Sequence, residues 1–187
     1  MATEKELSDF LRSVERRAFK RSYYHVRDED AALDIVQDSM MKLSQHYGDK
    51  PPAELPMLFQ RILSNTILDW FRRKKTQQAV MSNMSDLSSG HSEDDDPLEM
   101  LEDLMSHEGT ESAQDSLERA QTLKILETLI MDLPARQREA FLMRYWEEMD
   151  LAETAEVMGC SQGSVKTHCF RAVQALSQAL RAKGFPL

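Results

Sequence analysis

Among its 187 residues the chain has two cysteines, six glycines and six prolines, and only 7% of it is aromatic. Cys160 and Cys169 cannot make a disulfide framework, so a reducing cytoplasm is the expected setting. Few turn residues and few aromatics argue against a β-sandwich or barrel and for helices. No run of ~18 apolar residues occurs, so no membrane span is expected. The opening MATEKELSDFLRSVERR is charged from residue 4 onward and lacks the apolar centre of a secretion signal. There is no Gly-rich phosphate loop and no Ser/His/Asp or Cys/His order, so no enzyme activity is expected. A structural zinc site needs four ligands at accepted spacings. Cys160, His168 and Cys169 supply three, with Cys169 on an apolar helix face; core thiols are expected, with no metal and no cofactor.

Positive charge is missing from one stretch in particular. Residues 1–80 hold 14 Lys and Arg against 12 Asp and Glu, and residues 119–187 hold 9 against 8. Residues 81–118 hold 12 acids and no base, which accounts for the whole excess behind the formal net charge of −9. The flanks can therefore meet nucleic acid locally although the average is acidic. Residues 81–118 are rich in Ser, Asp and Glu and bury too little apolar area to offset their ordering entropy, so a flexible acidic linker is expected there. Only Pro97 to Met105 (PLEMLEDLM) has the pattern of a short amphipathic helix. No internal repeat and no strand-like alternation is found.

Helical periodicity marks a block on each side. In 1–80, Leu7, Phe10, Leu11 and Val14 space as one helix face, and Ala32, Ile35, Val36, Met40 and Leu43 as a second. The other face of that second helix carries Asp34, Gln37, Asp38 and Met41 at i, i+3, i+4 and i+7. Lys50, Pro51 and Pro52 break the pattern, which predicts a loop from His46 to Pro56. A third helix buries Phe59, Ile62, Leu63, Thr66, Ile67, Trp70 and Phe71, with Arg61, Asn65, Asp69, Arg72 and Arg73 along its opposite edge. It ends in the basic run Arg72 to Lys75, which alone could be no more than a solvated helix end. In 119–187, Leu123, Leu126, Leu129 and Ile130 share a helix that stops before Pro134, and Gln137 to Trp146 reads as the next.

Residues 151–171, LAETAEVMGCSQGSVKTHCFR, carry the strongest local signal. A helix-turn-helix needs a small residue where its helices approach, a turn residue tolerant of positive φ, and an apolar residue to seat the second helix. Ala155, Gly159 and Val165 stand at those spacings, and Ser161 is a good N-cap for the second helix. That helix offers Gln162, Ser164, Lys166, Thr167, His168 and Arg171 to a major groove. A helical hairpin without a DNA role does not require these three residues at these spacings.

With these motifs the chain resembles the extracytoplasmic-function group of bacterial RNA polymerase sigma factors. LPARQREAFLMRYWEEMDLAETAEVMGCSQGSVKTHCFRAVQAL resembles the family's region four, and DIVQDSMMKL with LFQRILSNTILDWFRRKK resembles region two. The resemblance implies an all-α protein of two small helical domains, a region-two-like bundle over 1–80 and a region-four-like helix-turn-helix domain over 119–187. A flexible acidic linker over 81–118 joins them. It implies docking on the β′ and β subunits of core RNA polymerase, with Asp34, Gln37, Asp38 and Met41 as the polymerase-binding face. Tyr47, Leu58, Arg61, Asn65, Arg72 and Arg73 would meet the −10 element of promoter DNA, the loop from Tyr47 to Leu55 holding an unstacked base. Ser164, Lys166, Thr167, His168 and Arg171 would read the −35 element as duplex. An anti-sigma factor is an implied partner. Leu33, Leu58 and His168 depart from the family's usual residues and bear on specificity. Two alternatives remain at this point: a stand-alone helix-turn-helix regulator, and a decoy or adaptor with degenerate DNA faces.

The linker makes the first prediction. Replacing Glu93, Asp94, Asp95 and Asp96 with Ser or Asn should leave both helical blocks folded, as read by circular dichroism. It should slow holoenzyme assembly or early RNA synthesis, because an acidic tether suits a basic polymerase channel. A neutral linker of equal length that supports full-rate initiation at all salt concentrations would leave length as its only property.

Overall fold

The computed structural model describes residues 3–78 and 113–185, and every regular element among them is helical. The expectations for residues 81–112, including the helix at Pro97 to Met105, lie outside the described residues. In the first block, α1 spans Glu4–Val26, α2 Glu29–Tyr47 and α3 Leu55–Gln78. In the second, α4 spans Ala113–Asp132, α5 Ala135–Phe141, α6 Leu151–Met158 and α7 Gln162–Ala182. Helix α4 thus takes up residues 113–118, which composition had placed in the linker. Ala113, Gln114 and Leu117 are good helix formers, and net charge does not report that preference.

Local chemistry sets the helix ends. Thr3 and Glu6 form a capping box at α1: the Glu6 N–H donates to Thr3 Oγ1 at 3.2 Å, and the Thr3 N–H donates to Glu6 Oε2 at 2.7 Å. Arg27 closes α1 in the left-handed region at φ 57°. Asp28 then caps α2, accepting from the Ala31 N–H at 2.9 Å. The predicted loop from His46 to Pro56 is shorter than its composition suggests. Helix α2 runs through Tyr47, Pro52–Glu54 forms a 3-10 turn, and α3 starts at Leu55. Pro52 suits that turn because its φ is already near the helical value and its missing N–H would be unpaired there anyway. Gly48 tightens the exit from α2, where a Cβ would sit 2.8 Å from the Ser44 carbonyl oxygen.

The first block packs Ala18, Ile35, Val36, Leu43, Phe59 and Leu63 into one core, with Phe10 edge-on to Phe59 at 6.0 Å. The α3 stripe predicted from spacing is the wall of that core. The second block has two cores. Leu126, Ile130, Phe141, Leu142, Val173 and Leu176 join α4, α5 and α7. Met143, Ala155, Val157, Met158, Val165 and Cys169 hold the helix-turn-helix. The helix expected from Gln137 to Trp146 changes pitch at its middle. Residues Leu142–Trp146 form a π turn in which the Glu147 N–H donates to the Leu142 carbonyl at 2.9 Å. The turn lets Met143 enter the helix-turn-helix core while Trp146 faces the first block, its ring 6.3 Å from that of Tyr24.

The two blocks lie against each other. Tyr24 of α1 is buried within the α4/α5/α7 core, and Met57 of α3 packs on the helix-turn-helix core. Tyr23 and Trp146 add to this apolar contact, and along the rest of the seam the contacts are polar. The Phe59 wall generates the second prediction. Phe59→Ala should cost about 3–5 kcal/mol of stability in urea unfolding, whereas Leu33→Ala, at a side chain 47% exposed, should stay within about 0.5 kcal/mol of wild type.

Candidate nucleic-acid interfaces and docking face

The helix-turn-helix is assembled by two caps and a turn. Asp150 and Glu153 form a capping box at the start of α6, each N–H donating to the other's carboxylate at 2.8 Å. The Thr154 hydroxyl, on a fully buried residue, donates to the Asp150 carbonyl at 2.7 Å. Gly159 ends α6 at φ 63°, and nothing lies within 4 Å of where a Cβ would stand. Its requirement is therefore conformational rather than steric. Ser161 starts α7, its hydroxyl accepting from the Ser164 N–H at 3.1 Å. Val165, with no exposure, seats α7 on α6.

That seating decides what α7 presents. Lys166, Thr167 and Arg171 are exposed, Ser164 and His168 half-buried. The Thr167 hydroxyl donates to the Gly163 carbonyl at 3.0 Å, leaving its oxygen as an acceptor. Burial, and then the nearby Arg136 and Arg171 guanidinium groups, hold the His168 imidazole below its ordinary pKa, and its Nδ1 has no hydrogen-bond partner in the structure. Phe170 was absent from the residues expected to face DNA, yet it is 45% exposed beside Arg171. The available signal was its place between the core residues Cys169 and Ala172, where the helix period turns a side chain outward. Cys169 is buried, and burial pushes its thiol up to about 11 against the opposing effect of Arg144. Cys160 packs at the edge of the same core. No cluster of three or more His, Cys, Asp or Glu side chains suited to a metal occurs among the described residues.

On α3, Asn65, Arg72 and Arg73 are exposed. Arg72 pairs with Asp69 at 3.1 Å, and Lys74 lies 4.7 Å above the Trp70 ring. Arg61 is drawn away from its neighbours on the stripe: its guanidinium lies 3.5 Å from Glu156 of α6, in the opposite block. Tyr47 is half-buried at the end of α2, edge-on to His46. Leu58 is half-buried and, like Tyr47, packs against the first-block core.

On α2, Asp34, Gln37, Asp38 and Met41 are all exposed, Met41 to 58%. Asp34 and Asp38 also line an open groove of about 500 Å³ between α2 and α3, with Asp69, Trp70 and Arg73 on its other wall. The docking residues and the basic end of α3 therefore border one concavity.

The seam between the blocks was not expected from the sequence. Arg21 has no exposure and donates to Gln60 and Ser64 of α3. The Gln60 amide then donates to Glu147 Oε2 across the seam at 2.9 Å. Arg138 donates to the His25 carbonyl at 3.2 Å, and both the Tyr24 hydroxyl and Lys20 Nζ reach Glu127. Burial, then the Arg21 and Arg138 cations, hold the His25 imidazole well below its usual range. Burial raises the Glu147 carboxyl, opposed by Arg21, Arg17 and the Gln60 hydrogen bond.

Comparison with known proteins agrees with this geometry. Residues 123–176 match the family model described as sigma-70, region 4. The chain is 26% identical over 157 residues to the RNA polymerase sigma factor SigV of Bacillus subtilis, covering 83% of this chain and 80% of that protein. It is 26% identical over 184 residues to the RNA polymerase sigma-E factor of Streptomyces coelicolor, covering 95% of this chain and 88% of the other. Among solved structures, the sigma factor RpoE in complex with the anti-sigma factor NepR, from Bartonella quintana, superposes with a TM-score of 0.60. That match is 21% identical and covers 95% of this chain and 96% of RpoE. Along most of its length the chain is thus similar to RNA polymerase sigma factors, extracytoplasmic-function ones among them. Its kinship extends over both helical blocks, and a stand-alone helix-turn-helix regulator has no need of the first. No helix among the described residues is long and apolar enough to cross a membrane.

Proposed function

We propose that this sigma factor binds core RNA polymerase through α2, opens and reads the −10 element with α3 and the loop before it, and reads the −35 element as duplex with α7. The observation that carries the reading is the joint exposure, in one chain, of an Asp34/Gln37/Asp38/Met41 face and a Lys166/Thr167/Arg171 face on separate helices. Each face stands on a packed core that makes no use of it, as binding groups on a rigid scaffold should. The protein has no chemistry of its own; it works in the cytoplasm beside the polymerase that supplies the chemistry. The reading also includes an anti-sigma partner, on its likeness to RpoE, which was solved with NepR. Run-off transcription with core polymerase tests the whole.

On α7 the side chains divide the work. Arg171 has the planar fork that pairs with a guanine edge, and Lys166 is a point charge suited to phosphate. Phe170 is placed to meet a thymine methyl. For the −10 strand, Asn65, Arg72 and Arg73 supply backbone contacts, with Tyr47 near the loop that would hold the unstacked base. Leu58, half-buried against the first-block core, follows that loop in the chain.

Two predictions follow from these assignments. Asp34→Arg combined with Gln37→Ala should weaken binding to core polymerase while thermal unfolding stays near wild type, since exposed polar changes rarely unfold a domain. Undiminished core binding would remove α2 as the docking helix. On α7, Arg171→Ala should cost about 1–3 kcal/mol at one base position and relax selectivity there. Lys166→Ala should weaken all sequences alike and lower the salt slope of binding by roughly one. Competition binding with single-base variants of the −35 site, over a salt series, separates the two. Unchanged binding and selectivity in both variants would exclude α7 as the reader.

A further inference from the structure

We propose that Met41 is a peroxide-sensitive modification site, at which conversion of the thioether to the sulfoxide uncouples α2 from core RNA polymerase. The inference rests on the docking assignment above and deepens it. Five large apolar side chains are exposed among the described residues, and two of them, Leu33 at 47% and Met41 at 58%, stand on α2. Leu33, Gln37 and Met41 recur every four residues, so they form one stripe along the helix. A single exposed apolar residue is ordinary, whereas a pair flanking a docking glutamine makes a patch for a partner to cover. Asp34 and Asp38 stand along its acidic side, and Asp38 pairs with Lys42 at 2.8 Å.

Exposure sets Met41 apart from the other described methionines. Met143, Met149 and Met158 are buried in the helix-turn-helix core, none more than 7% exposed. Met40, Met57 and Met131 are half-buried, each against a core. A peroxide therefore reaches the Met41 sulfur first among these. The Cys169 thiol, buried and pushed up to about 11, is a poor competitor. In the reaction Met41 Sδ attacks one oxygen of the peroxide. An S–O bond forms, the O–O bond breaks, and the second oxygen leaves as water, or as an alcohol from an alkyl peroxide. The sulfur gives up two electrons and the peroxide gains them. A dithiol reductase reverses the step: two thiols become a disulfide, and the sulfoxide oxygen leaves as water. The sulfoxide replaces an apolar contact with a strong acceptor dipole. Docking must then desolvate that dipole beside the Asp38 carboxylate, one turn away. Met41 belongs to none of the three cores, so the first block keeps its fold when the sulfur is oxidised.

The test uses the full chain and hydrogen peroxide. After graded exposure, peptide mass spectrometry should find the sulfoxide at Met41 well before Met143, Met149 or Met158. Affinity for core RNA polymerase should fall about tenfold in step with Met41 oxidation, the scale of one well-buried interface side chain, while circular dichroism stays unchanged. Methionine sulfoxide reductase with a dithiol should restore the affinity. Two variants separate Met41 from the other methionines and the cysteines. Met41→Leu keeps an apolar side chain without the sulfur. Whatever its own affinity for core, peroxide should change that affinity by no more than about twofold. Met41→Gln, with a polar acceptor on a side chain of similar length, should bind core about tenfold more weakly than wild type with no oxidant present. Peroxide sensitivity as great in Met41→Leu as in wild type overturns the proposal. So does wild-type affinity in Met41→Gln, or oxidation of Met41 no faster than that of the buried methionines. Undiminished core binding by the Asp34→Arg, Gln37→Ala chain overturns the docking assignment itself, a result distinguishable from the others.

Discussion

Arg21 is a guanidinium with no exposed surface, set where α1, α3 and the π turn converge. Moving such a cation out of water is costly unless its donors find acceptors and a counter-charge lies near. Gln60 and Ser64 take two of its donors, while Glu147 and Glu139 supply negative charge that opposes the downward pull of burial on its pKa. Its interactions therefore tie the first block internally and fix the place where the second block can rest. Breaking one partner of a buried charged pair typically costs about 3–5 kcal/mol, because the remaining charge stays buried. The network is thus strict about geometry although its net contribution to stability is small.

The block cores and the seam use different forces. Phe59, Leu63, Phe141 and Leu176 have almost no exposure and sit among other apolar side chains. Burying each contributes about 1.5–3 kcal/mol, and the packing is hard to rearrange. Along the seam, apolar contact comes chiefly from Tyr23, Tyr24, Met57 and Trp146, and the rest is hydrogen bonds and ion pairs. Lys20–Glu127 and Arg61–Glu156 are each roughly half exposed, and such pairs contribute at most about 1 kcal/mol. Each block keeps its shape by burial, while their mutual position depends on a few aromatic and methionine contacts together with weaker polar terms.

This division explains what was legible in the sequence. The α3 stripe, the stop before Pro134, the turn at Gly159 and the Ser161 cap all arise within one or two helical turns, so spacing exposes them. Helix α6 starts at Leu151, where the helix-turn-helix signal begins, and ends just before Gly159 for the same reason. Of the site residues, Asp34, Gln37, Asp38, Asn65, Lys166 and Arg171 stand outward where periodicity puts them. Leu58 does not, because the apolar face of α3 is wider than the three-and-four stripe alone indicates. Arg21, Gln60, Arg138 and Glu147 read as surface residues in the sequence. Their burial comes from contacts 39 to 113 residues apart, which no local pattern encodes. The π turn was hidden likewise: LMRYW has ordinary helical spacing, and only the two cores it serves, one for Met143 and one for Trp146, distinguish its wider pitch.

Charge is distributed along the same division. The two blocks are nearly neutral, so neither repels nucleic acid as a whole. Arg72 to Lys75 end α3, and Lys166 and Arg171 stand on α7. Several acids of the blocks are committed elsewhere. Asp28, Asp150 and Glu153 cap helices, Glu139 pairs with Arg136, and Glu127, Asp132, Glu147 and Glu156 hold the seam. The seam's acids therefore serve two ends. They bind the first block's cations while the blocks are together, and they shield Arg61 from a competing strand.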